Sequence, residues 1–338
     1  MYQLLCDTID RMSSEKLLLI DGNAIVHRAY HALPPLSAPD GTVVNALYGF
    51  LSMFFTVITD LKPEFVIVSF DISKPTHRQA LYAGYQQGRP ALTDDLITQF
   101  AMIHEALKKM NISIFEVEGY EADDVIGTIA TQMFHYSPDR HSRESGNPGK
   151  KIPDQVGDDI IETIILTGDR DLLQLVNKTT KVLMPIVGVK ETKLYDEAAV
   201  EEKFGVTPAQ FIDYKALVGD ASDGYPGVTG IGPKTASSLL QKYNTFEYMY
   251  EHLGELPQKI AEKLATDAEQ AALAKKLAAI VTDAPVTCKI EKCRWRDFDT
   301  NGAMKVFQIY GFDSLIRRFG ALFKSLDDKK NGEQLGLL

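Results

Sequence analysis

Leu17-Leu18-Leu19-Ile20-Asp21 decides the fold, because it is a short apolar run that ends directly in a carboxylate. The chain repeats this pattern twice: residues 65–70 lead into Asp71, and residues 163–168 lead into Asp169. Short apolar runs bounded by turn residues are typical of buried strands in a parallel sheet. Ligands of such sheets bind beyond the carboxyl ends of the strands. We therefore expect the three acids to lie together along one edge of a sheet.

Segments with strand and helix patterns alternate from Leu17 to about Leu183. This order predicts an α/β fold with a mostly parallel central sheet, right-handed crossovers and flanking helices. At 338 residues the chain exceeds the length at which a single hydrophobic core stops growing, so one elaborated domain or two subdomains are expected. Residues 253–279 are rich in Ala, Leu, Lys and Glu, and they predict amphipathic helices that pack on the core.

Further acids occur in closely spaced groups. Residues 120–134 predict a helix that carries Glu121 and Asp124 on one face, and residues 169–171 and 220–223 add two more pairs. An Asp after a strand is also a common helix cap, and acids in a first helical turn favour the helix dipole. Capping does not explain all the pairs, and repulsion among so many carboxylates calls for a cation. The candidate metal ligands are Asp21, Asp71, Glu121, Asp123, Asp124, Asp169, Asp171, Asp220 and Asp223.

The chemistry of these side chains indicates the kind of metal. Carboxylate oxygens are the ligands that Mg²⁺ and Mn²⁺ prefer, and the simplest interpretation is a hydrolase that holds two such ions. The net charge of −10 is unusual for a protein that binds nucleic-acid phosphates. The nine candidate ligands account for most of this charge, so the rest of the protein is close to neutral.

The overall composition is that of a globular protein, with 45% hydrophobic and 24% charged residues. No apolar segment is long enough to cross a membrane, and residues 1–15 lack the basic start and apolar centre of a signal peptide. A cytoplasmic protein without a membrane partner is expected. Cys6, Cys288 and Cys293 fit neither a zinc site nor a redox motif, and we expect ordinary small apolar residues there.

Five motifs, taken in order, carry a resemblance to a known family. They are Ile20-Asp21-Gly22, Phe70-Asp71, Gly119-Tyr120-Glu121-Ala122-Asp123-Asp124, Thr167-Gly168-Asp169-Arg170-Asp171 and Gly219-Asp220-Ala221-Ser222-Asp223. The set resembles the 5′-nuclease domain of bacterial DNA polymerase I, which is similar to phage and cellular flap endonucleases. The resemblance covers about residues 16–324. It implies a PIN-like core, a helical arch and a helix-three-turn-helix element.

The resemblance and the composition together predict the domain organisation. Residues 137–159 are rich in Pro, Gly, Ser, Asp and Arg, which predicts a mobile insertion within the core. The expected parts are an N-terminal extension (1–15), an α/β nuclease core (16–195) with the arch at about 72–106, a helical DNA-binding region (196–324) with the helix-three-turn-helix at about 216–242, and a C-terminal tail (325–338).

The resemblance also implies a two-metal mechanism for hydrolysis of a phosphodiester. One ion lowers the pKa of its bound water, and both ions stabilise the attacking and leaving oxygens of an in-line displacement. In this scheme the first ion is held by Asp123, Asp169 and Asp171 with Glu121 in its inner or outer shell, the second by Asp171, Asp220 and Asp223, and metal-bound waters are oriented by Asp21, Asp71 and Asp124.

A glycine-rich stretch, Gly227-Val228-Thr229-Gly230-Ile231-Gly232-Pro233-Lys234-Thr235-Ala236, follows the last acidic pair by a few residues. Closely spaced glycines let the backbone approach a phosphate, and a helix that begins near Pro233 offers unpaired N–H groups to an anion. The alternative is a turn that only links two helices. In the family this element grips duplex DNA and often holds a K⁺ ion through loop carbonyls. The candidate DNA-binding residues are Gly227, Gly230, Ile231, Gly232, Lys234 and Thr235.

The segment from Asp71 to Ala106 matches the family's arch, which admits a single-stranded 5′ end and brings basic groups to the scissile phosphate. Tyr85 is expected to stack on a displaced base, and Arg89 to clamp a phosphate. The family has Tyr-Lys-x-x-Arg where this chain has Tyr85-Gln86-Gln87-Gly88-Arg89, so a glutamine replaces the lysine. The expected catalytic residues of the segment are Arg78, Tyr85, Gln86 and Arg89.

The predicted function is that of a structure-specific 5′ to 3′ exonuclease and 5′-flap endonuclease in DNA replication and repair. The expected substrates are DNA with a 5′ flap, a nick or a single-stranded 5′ end, and RNA primers in RNA–DNA hybrids. A separate DNA polymerase is the expected partner, and the nucleoid the expected location.

Two other functions stay open. One is a flap- or junction-binding protein of the same fold, whose cleavage is weakened by Gln86, by the insertion, or by Gly224 at a position where the family usually has Asn. The other is a phosphatase with an aspartyl nucleophile. That class normally has a second Asp two residues after the first, whereas this chain has Asn23 after Asp21.

Overall fold

The structure is a computed structural model that describes residues 15–72, 74–134, 161–188 and 191–335. The expected N-terminal extension, except Glu15, and the whole of the expected insertion at 137–159 lie outside these ranges.

A six-stranded sheet forms the centre of the described structure, in the order β3-β2-β1-β4-β5-β6. Neighbouring strands are parallel except for β6, which is antiparallel to β5. The prediction of a mostly parallel α/β sheet is therefore confirmed. A separate ribbon pairs β7 with β8. The strands are β1 (Lys16–Asp21), β2 (Phe65–Ser69), β3 (Ser113–Phe115), β4 (Glu162–Leu166), β5 (Thr180–Val187), β6 (Glu191–Tyr195), β7 (Gly219–Asp220) and β8 (Tyr225–Pro226).

Helices connect and cover the strands. The short helix α3 begins after a capping box at Thr76, and α5 begins within the acidic motif. The helices are α1 (Gly22–Ala32), α2 (Asn45–Leu61), α3 (His77–Leu81), α4 (Asp94–Lys109), α5 (Ala122–Phe134), α6 (Glu197–Phe204), α7 (Phe211–Val218), α8 (Pro233–Tyr243), α9 (Phe246–Glu251), α10 (Gln258–Thr266), α11 (Ala268–Ala278), α12 (Thr300–Ile309) and α13 (Asp313–Leu335).

The strand order places the functional edge of the sheet. The chain runs outward from β1 through β2 to β3 and then returns to β4 on the other side of β1. Ligands of open α/β sheets bind at such a reversal, beyond the carboxyl ends of the strands. Asp21 ends β1, and Asp169 follows β4 by three residues. The reversal therefore brings these two acids together.

Two hydrophobic clusters lie on opposite faces of the sheet. One contains α2 and an aromatic group of Phe55, Trp295 and Phe307, and Trp295 is only 7% exposed. The other contains buried side chains of α5, α7 and α8. Trp295 and its aromatic neighbours therefore pack in the core. No helix in the described ranges combines the length and hydropathy needed to span a bilayer.

Some expected boundaries differ from the observed elements. Helix α4 overlaps the second half of the expected arch, yet it buries Leu96, Ile103 and Leu107 in the core. Four residues that precede this helix, Arg78, Tyr85, Gln86 and Arg89, line a pocket at the carboxyl ends of the strands. Helix α13 runs through the expected start of the tail at 325. Helices α10 and α11 confirm the amphipathic helices predicted at 253–279.

Candidate metal centre and nucleic-acid interface

A pocket of about 440 Å³ opens at the carboxyl ends of the strands. Its walls contain most of the acids that the sequence singles out, which confirms that these acids gather at one edge of the sheet. Of the remaining two, Asp220 lines an adjoining cavity and Asp124 is fully buried. The acids that line the pocket are Asp21, Asp71, Glu121, Asp123, Asp169, Asp171 and Asp223.

Two of these acids also tie the strand ends to neighbouring elements. Asp21 caps α1 by accepting from the Ala24 amide (2.9 Å), and its other oxygen accepts from the Thr167 hydroxyl (2.7 Å). Asp71 accepts from the Ala122 amide (2.7 Å) at the start of α5. Burial raises the pKa of Asp21 to about 7, and desolvation also raises the pKa of Asp71. The capping interpretation is therefore correct for Asp21, whereas Asp71 contacts the start of a helix that lies 51 residues later in the chain, and both acids line the pocket.

Asp171, Asp220 and Asp223 form the tightest group of acids among the described residues. One carboxylate oxygen from each lies within 4.8 Å of the others. Burial, followed by repulsion from Asp169, raises the pKa of Asp171 to about 7. Burial also raises the pKa of Asp223, so the surroundings oppose ionisation of two of the three converging carboxylates, and such a group fits a hard divalent cation. This trio is the set expected for the second ion.

The set expected for the first ion is less compact. Asp123 and Asp169 line the same pocket as Asp171, but the three do not converge within the same 4.8 Å limit. Asp169 accepts from the Asp171 amide (2.8 Å). Burial raises the pKa of Asp123 well above its ordinary value, and Asp169, Asp21 and Asp71 raise it further by repulsion. This accumulation of negative charge is the electrostatic condition for cation binding.

Lys215 is a residue of the site that the sequence reasoning missed. It lies on α7, it is 8% exposed, and its ammonium is 2.5 Å from Asp171 Oδ1. It also forms an ion pair with Asp220 Oδ2. Burial alone would raise the pKa of Asp220, but the hydrogen bonds from Lys215 and Ser222 lower it. A lysine five residues before the acidic pair, within the apolar sequence of α7, was the available signal.

Arg78 has a different role from the one expected. Its side chain is 3% exposed, and it donates to both oxygens of Asp124 (2.7 and 2.9 Å) and to Glu121 (3.0 Å). The Leu277 and Ala279 carbonyls accept its remaining N–H groups (2.9 and 2.8 Å). The catalytic role expected for Arg78 is not possible in this conformation, because all five N–H donors are already used.

The same network changes the interpretation of Asp124 and Glu121. Asp124 is fully buried, and its oxygens accept from Arg78 and from the amides of Glu121 (3.1 Å) and Val281 (2.9 Å). The prediction that Asp124 orients a metal-bound water is therefore wrong. Glu121 accepts from Thr76 (3.0 Å) as well as Arg78, although burial still raises its pKa. Protein donors thus contact both oxygens of Glu121, which favours an outer-shell position.

Tyr85 is also more buried than expected. It is 5% exposed, its hydroxyl donates to Glu121 (3.1 Å), and its ring stacks on Tyr225 at 6.5 Å between centroids. Burial, followed by repulsion from Glu121, raises the pKa of Tyr85. The expected stacking of Tyr85 on a displaced base is wrong for this conformation, since Tyr225 occupies a face of the ring.

Arg89 and Gln86 lie where an arch residue could reach the reacting groups. The Arg89 side chain is 48% exposed, and one terminal nitrogen is 2.5 Å from Asp223 Oδ1. Burial opposes charge on Arg89, but Asp223 outweighs it and raises the pKa of the guanidinium. Gln86 has a φ of 58°, and its amide donates to the Asp223 carbonyl (2.8 Å). Both residues line the pocket.

The glycine-rich stretch connects β8 to α8 and lies against the end of α7, where the Val228 amide donates to the Leu217 carbonyl (2.8 Å). A Cβ on Gly227 would lie 2.4 Å from the Gly219 amide and the Leu217 carbonyl, so only glycine allows this approach to α7. Ile231 is 4% exposed and packs in the core, so its predicted DNA contact is wrong for the side chain.

The remaining residues of this stretch are accessible. Gly230, Gly232 and Lys234 are exposed, and Thr235 is partly exposed. Helix α8 begins after Gly232 without a side-chain cap on its first turn. An uncapped helix N-terminus that carries a lysine is suited to a phosphate.

Helix α1 contributes a basic wall that the sequence reasoning also missed. His27, Arg28 and His31 line the pocket on the side of Asp21. Arg28 donates to the carbonyls of Ile186 (2.6 Å) and Gly188 (3.1 Å) and so holds the β5–β6 turn. Burial lowers the pKa of His27. The i, i+4 spacing of the two histidines in the helix after Asp21 was the available signal.

Comparisons with known proteins agree with this geometry. The family described as 5′-3′ exonuclease, N-terminal resolvase-like domain, matches residues 16–140, and the family described as 5′-3′ exonuclease, C-terminal SAM fold, matches residues 206–301. DNA polymerase I of Bacillus subtilis (strain 168) is 36% identical over 307 residues, which cover 90% of this chain and 32% of that protein. The corresponding values for DNA polymerase I of Caldicellulosiruptor bescii are 38% over 309 residues, 90% and 33%. The chain thus spans about a third of the length of these relatives.

Solved structures share the fold. The structure of T5 5′-exonuclease with bound divalent zinc ions has a TM-score of 0.60 at 20% identity, and the match covers 88% of this chain and all of that one. The catalytic core of Rad2 in complex with DNA substrate has a TM-score of 0.51 at 14% identity and 88% coverage of both chains. These neighbours have the PIN-like fold, and the predicted fold class is therefore confirmed.

Proposed function

Because the chain belongs to the 5′-3′ exonuclease family, we propose that it is a structure-specific 5′-nuclease that hydrolyses DNA phosphodiesters at 5′ flaps, nicks and single-stranded 5′ ends. One observation carries the proposal: seven acids line a single pocket at the reversal of the sheet. The uncapped start of α8 provides a second, phosphate-binding contact. Binding alone would have no use for such a crowded anionic pocket.

The acids of the pocket fall into two sets, one for each metal ion. Asp171, Asp220 and Asp223 would hold one Mg²⁺ or Mn²⁺ ion, and Asp123 and Asp169 would join Asp171 in holding the other. When bound, the ions supply an activated water and stabilise the attacking and leaving oxygens.

The protein's own groups orient the substrate around these acids. Arg89 forms an ion pair with Asp223 while half of its side chain is exposed, so the guanidinium can also bind a phosphate oxygen. Asp21 and Asp71 fix the strand ends, because their oxygens accept from Thr167 and from the Ala122 amide. Lys234 would add a point charge next to the duplex backbone.

Further proposals follow from the family and from the described contacts. A K⁺ ion held by loop carbonyls of the helix-linking turn is proposed from the family resemblance, and at the Gly230 carbonyl it would have to displace the Lys263 ammonium (2.9 Å). RNA primers in RNA–DNA hybrids are a further substrate, a separate DNA polymerase a partner, and the nucleoid the site of action. The domain boundaries given above also stay predictions.

A labelled 5′-flap duplex tests the proposal directly. The protein should cleave it with Mg²⁺ and not with chelator, and Asp171→Asn should abolish cleavage while flap binding stays equal or becomes stronger. The mutation removes a shared metal ligand and a charge that repels phosphate. Asp60→Asn, at an exposed acid of α2 outside the pocket, should behave like the wild type. Tight flap binding without cleavage by the wild-type protein would instead identify a junction-binding protein.

A further inference from the structure

Lys215 is placed where the second ion would bind. Its ammonium contacts Asp171 Oδ1 at 2.5 Å and pairs with Asp220 Oδ2. These two acids, with Asp223, are the group whose oxygens converge within 4.8 Å. The lysine side chain is only 10% exposed, so water screens these contacts weakly.

The lysine and a divalent ion would compete for the same two carboxylates, Asp171 and Asp220. An ammonium and a cation that share two carboxylates repel each other, because a few ångströms separate their charges in a site with little water. Arg89 on Asp223 adds a second positive charge to the trio. Without a divalent ion, these two cations neutralise much of the charge of the three acids.

We propose that Lys215 is a built-in competitor for the second divalent ion. It holds Asp171 and Asp220 together in the metal-free protein and weakens binding of that ion. The negative charge of a bound DNA phosphate offsets this effect, so the second ion is loaded mainly when substrate is present. This inference rests on the proposed function, and it adds a regulation of metal loading by a residue that is neither a ligand nor a catalytic group.

Binding of Mn²⁺ alone tests the proposal without any cleavage assay. Isothermal titration of the wild-type protein should resolve a tight and a weak site, and Asp223→Asn should remove the weak one. Lys215→Met should tighten the weak site by at least about tenfold, because one buried positive charge is lost. In chelator the same variant should melt at a lower temperature than the wild type. Addition of Mn²⁺ should raise its melting temperature by more than it raises that of the wild type.

Two variants control for a general loss of structure. Lys275 bridges Asp213 (2.7 Å) and Glu247 (2.7 Å) outside the pocket, so Lys275→Met also breaks a two-acid bridge. It should lower the melting temperature without changing the affinity for Mn²⁺. Lys215→Gln is the second test if Lys215→Met does not fold, since it keeps a polar side chain without the charge.

The outcomes separate the two proposals. Wild-type or weaker Mn²⁺ affinity in both neutral variants of Lys215 would overturn the competitor role and leave the metal site intact. If the Asp223→Asn variant still bound Mn²⁺ at both sites seen in the wild-type protein, the assignment of the metal ligands would instead be overturned. Added DNA duplex with a 5′ flap should tighten the weak site in the wild-type protein more than in Lys215→Met.

Discussion

Replacing the two arginines of residues 77–93 separates a structural role from a functional one. Arg78 is 3% exposed and makes five hydrogen bonds, two of them to the fully buried Asp124. Removing one partner of a buried ion pair costs about 3–5 kcal/mol, because the other charge is left without compensation. Arg78→Met should therefore lower the free energy of unfolding by about that amount.

Arg89→Met is the matched variant. The Arg89 side chain is 48% exposed and has one ion pair, so its loss should cost no more than about 1 kcal/mol. Cleavage of a 5′ flap should nevertheless fall strongly, since Arg89 is the exposed cation beside Asp223. Urea unfolding followed by circular dichroism measures the first quantity, and single-turnover cleavage measures the second.

The refuting result is specific. If Arg78→Met were as stable as the wild type yet inactive, Arg78 would act on the substrate, and its burial in this conformation would not describe the working enzyme. A double variant with Asp124→Asn adds a second check. Because the two side chains form one buried network, the double variant should lose less stability than the sum of the single variants.

Three further predictions concern DNA binding, the chemical step and pH. Lys234→Ala should weaken duplex binding and reduce the slope of log affinity against log salt by about one unit. An unchanged slope would show that this exposed lysine makes no ionic contact with DNA. Gln86→Lys should raise the single-turnover rate by at least about tenfold with little change in substrate affinity, because a preorganised cation acts on developing charge; an equal rate would contradict the arch assignment. The raised pKa of about 7 for Asp21 and Asp171, against 3.8 unperturbed, means that their contribution to stability is present below about pH 4 and lost as pH rises through 7. The melting temperature in chelator should therefore fall between about pH 4 and pH 7 and level off above that range, and saturating Mg²⁺ should abolish the fall.

The fold and the location of the site follow from local sequence patterns. The run from Leu17 to Ile20 is completely buried as β1, and the acids at the ends of β1, β2 and β4 meet at one edge. This prediction succeeds because a parallel sheet converts an order along the chain into a position in space. The helix expected at 120–134 is observed as Ala122–Phe134. This prediction succeeds for a different reason, because the sequence pattern of a helix is local.

The roles of individual side chains could not be predicted from the sequence, because their contact partners are distant along the chain. Arg78 is separated from Asp124 by 46 residues and from the Ala279 carbonyl by 201. No pattern around Arg78 distinguishes a buried arginine from one that faces DNA. The same holds for Lys215, whose contact with Asp171 depends on how α7 packs beside the sheet edge. Burial decides the function of such cations, and burial is set by the tertiary structure.

The two departures from the family pattern, Gln86 and Gly224, contact each other's segments. Gly224 has a φ of 75°, which Asn tolerates better than most residues, so the backbone alone does not require glycine. A Cβ there would lie 3.1 Å from the Gly84 carbonyl, however, so Gly84 would have to move by a few tenths of an ångström. The Gln86 amide, two residues on, donates to the Asp223 carbonyl. An asparagine at 224 would therefore require a small shift of the Gly84 carbonyl, whereas its Cβ would make an ordinary contact with the Gln86 amide at 3.9 Å. Because the turn that carries Gly224 lies against residues 84–86, we expect the rate effect of Gln86→Lys to depend on which residue occupies position 224.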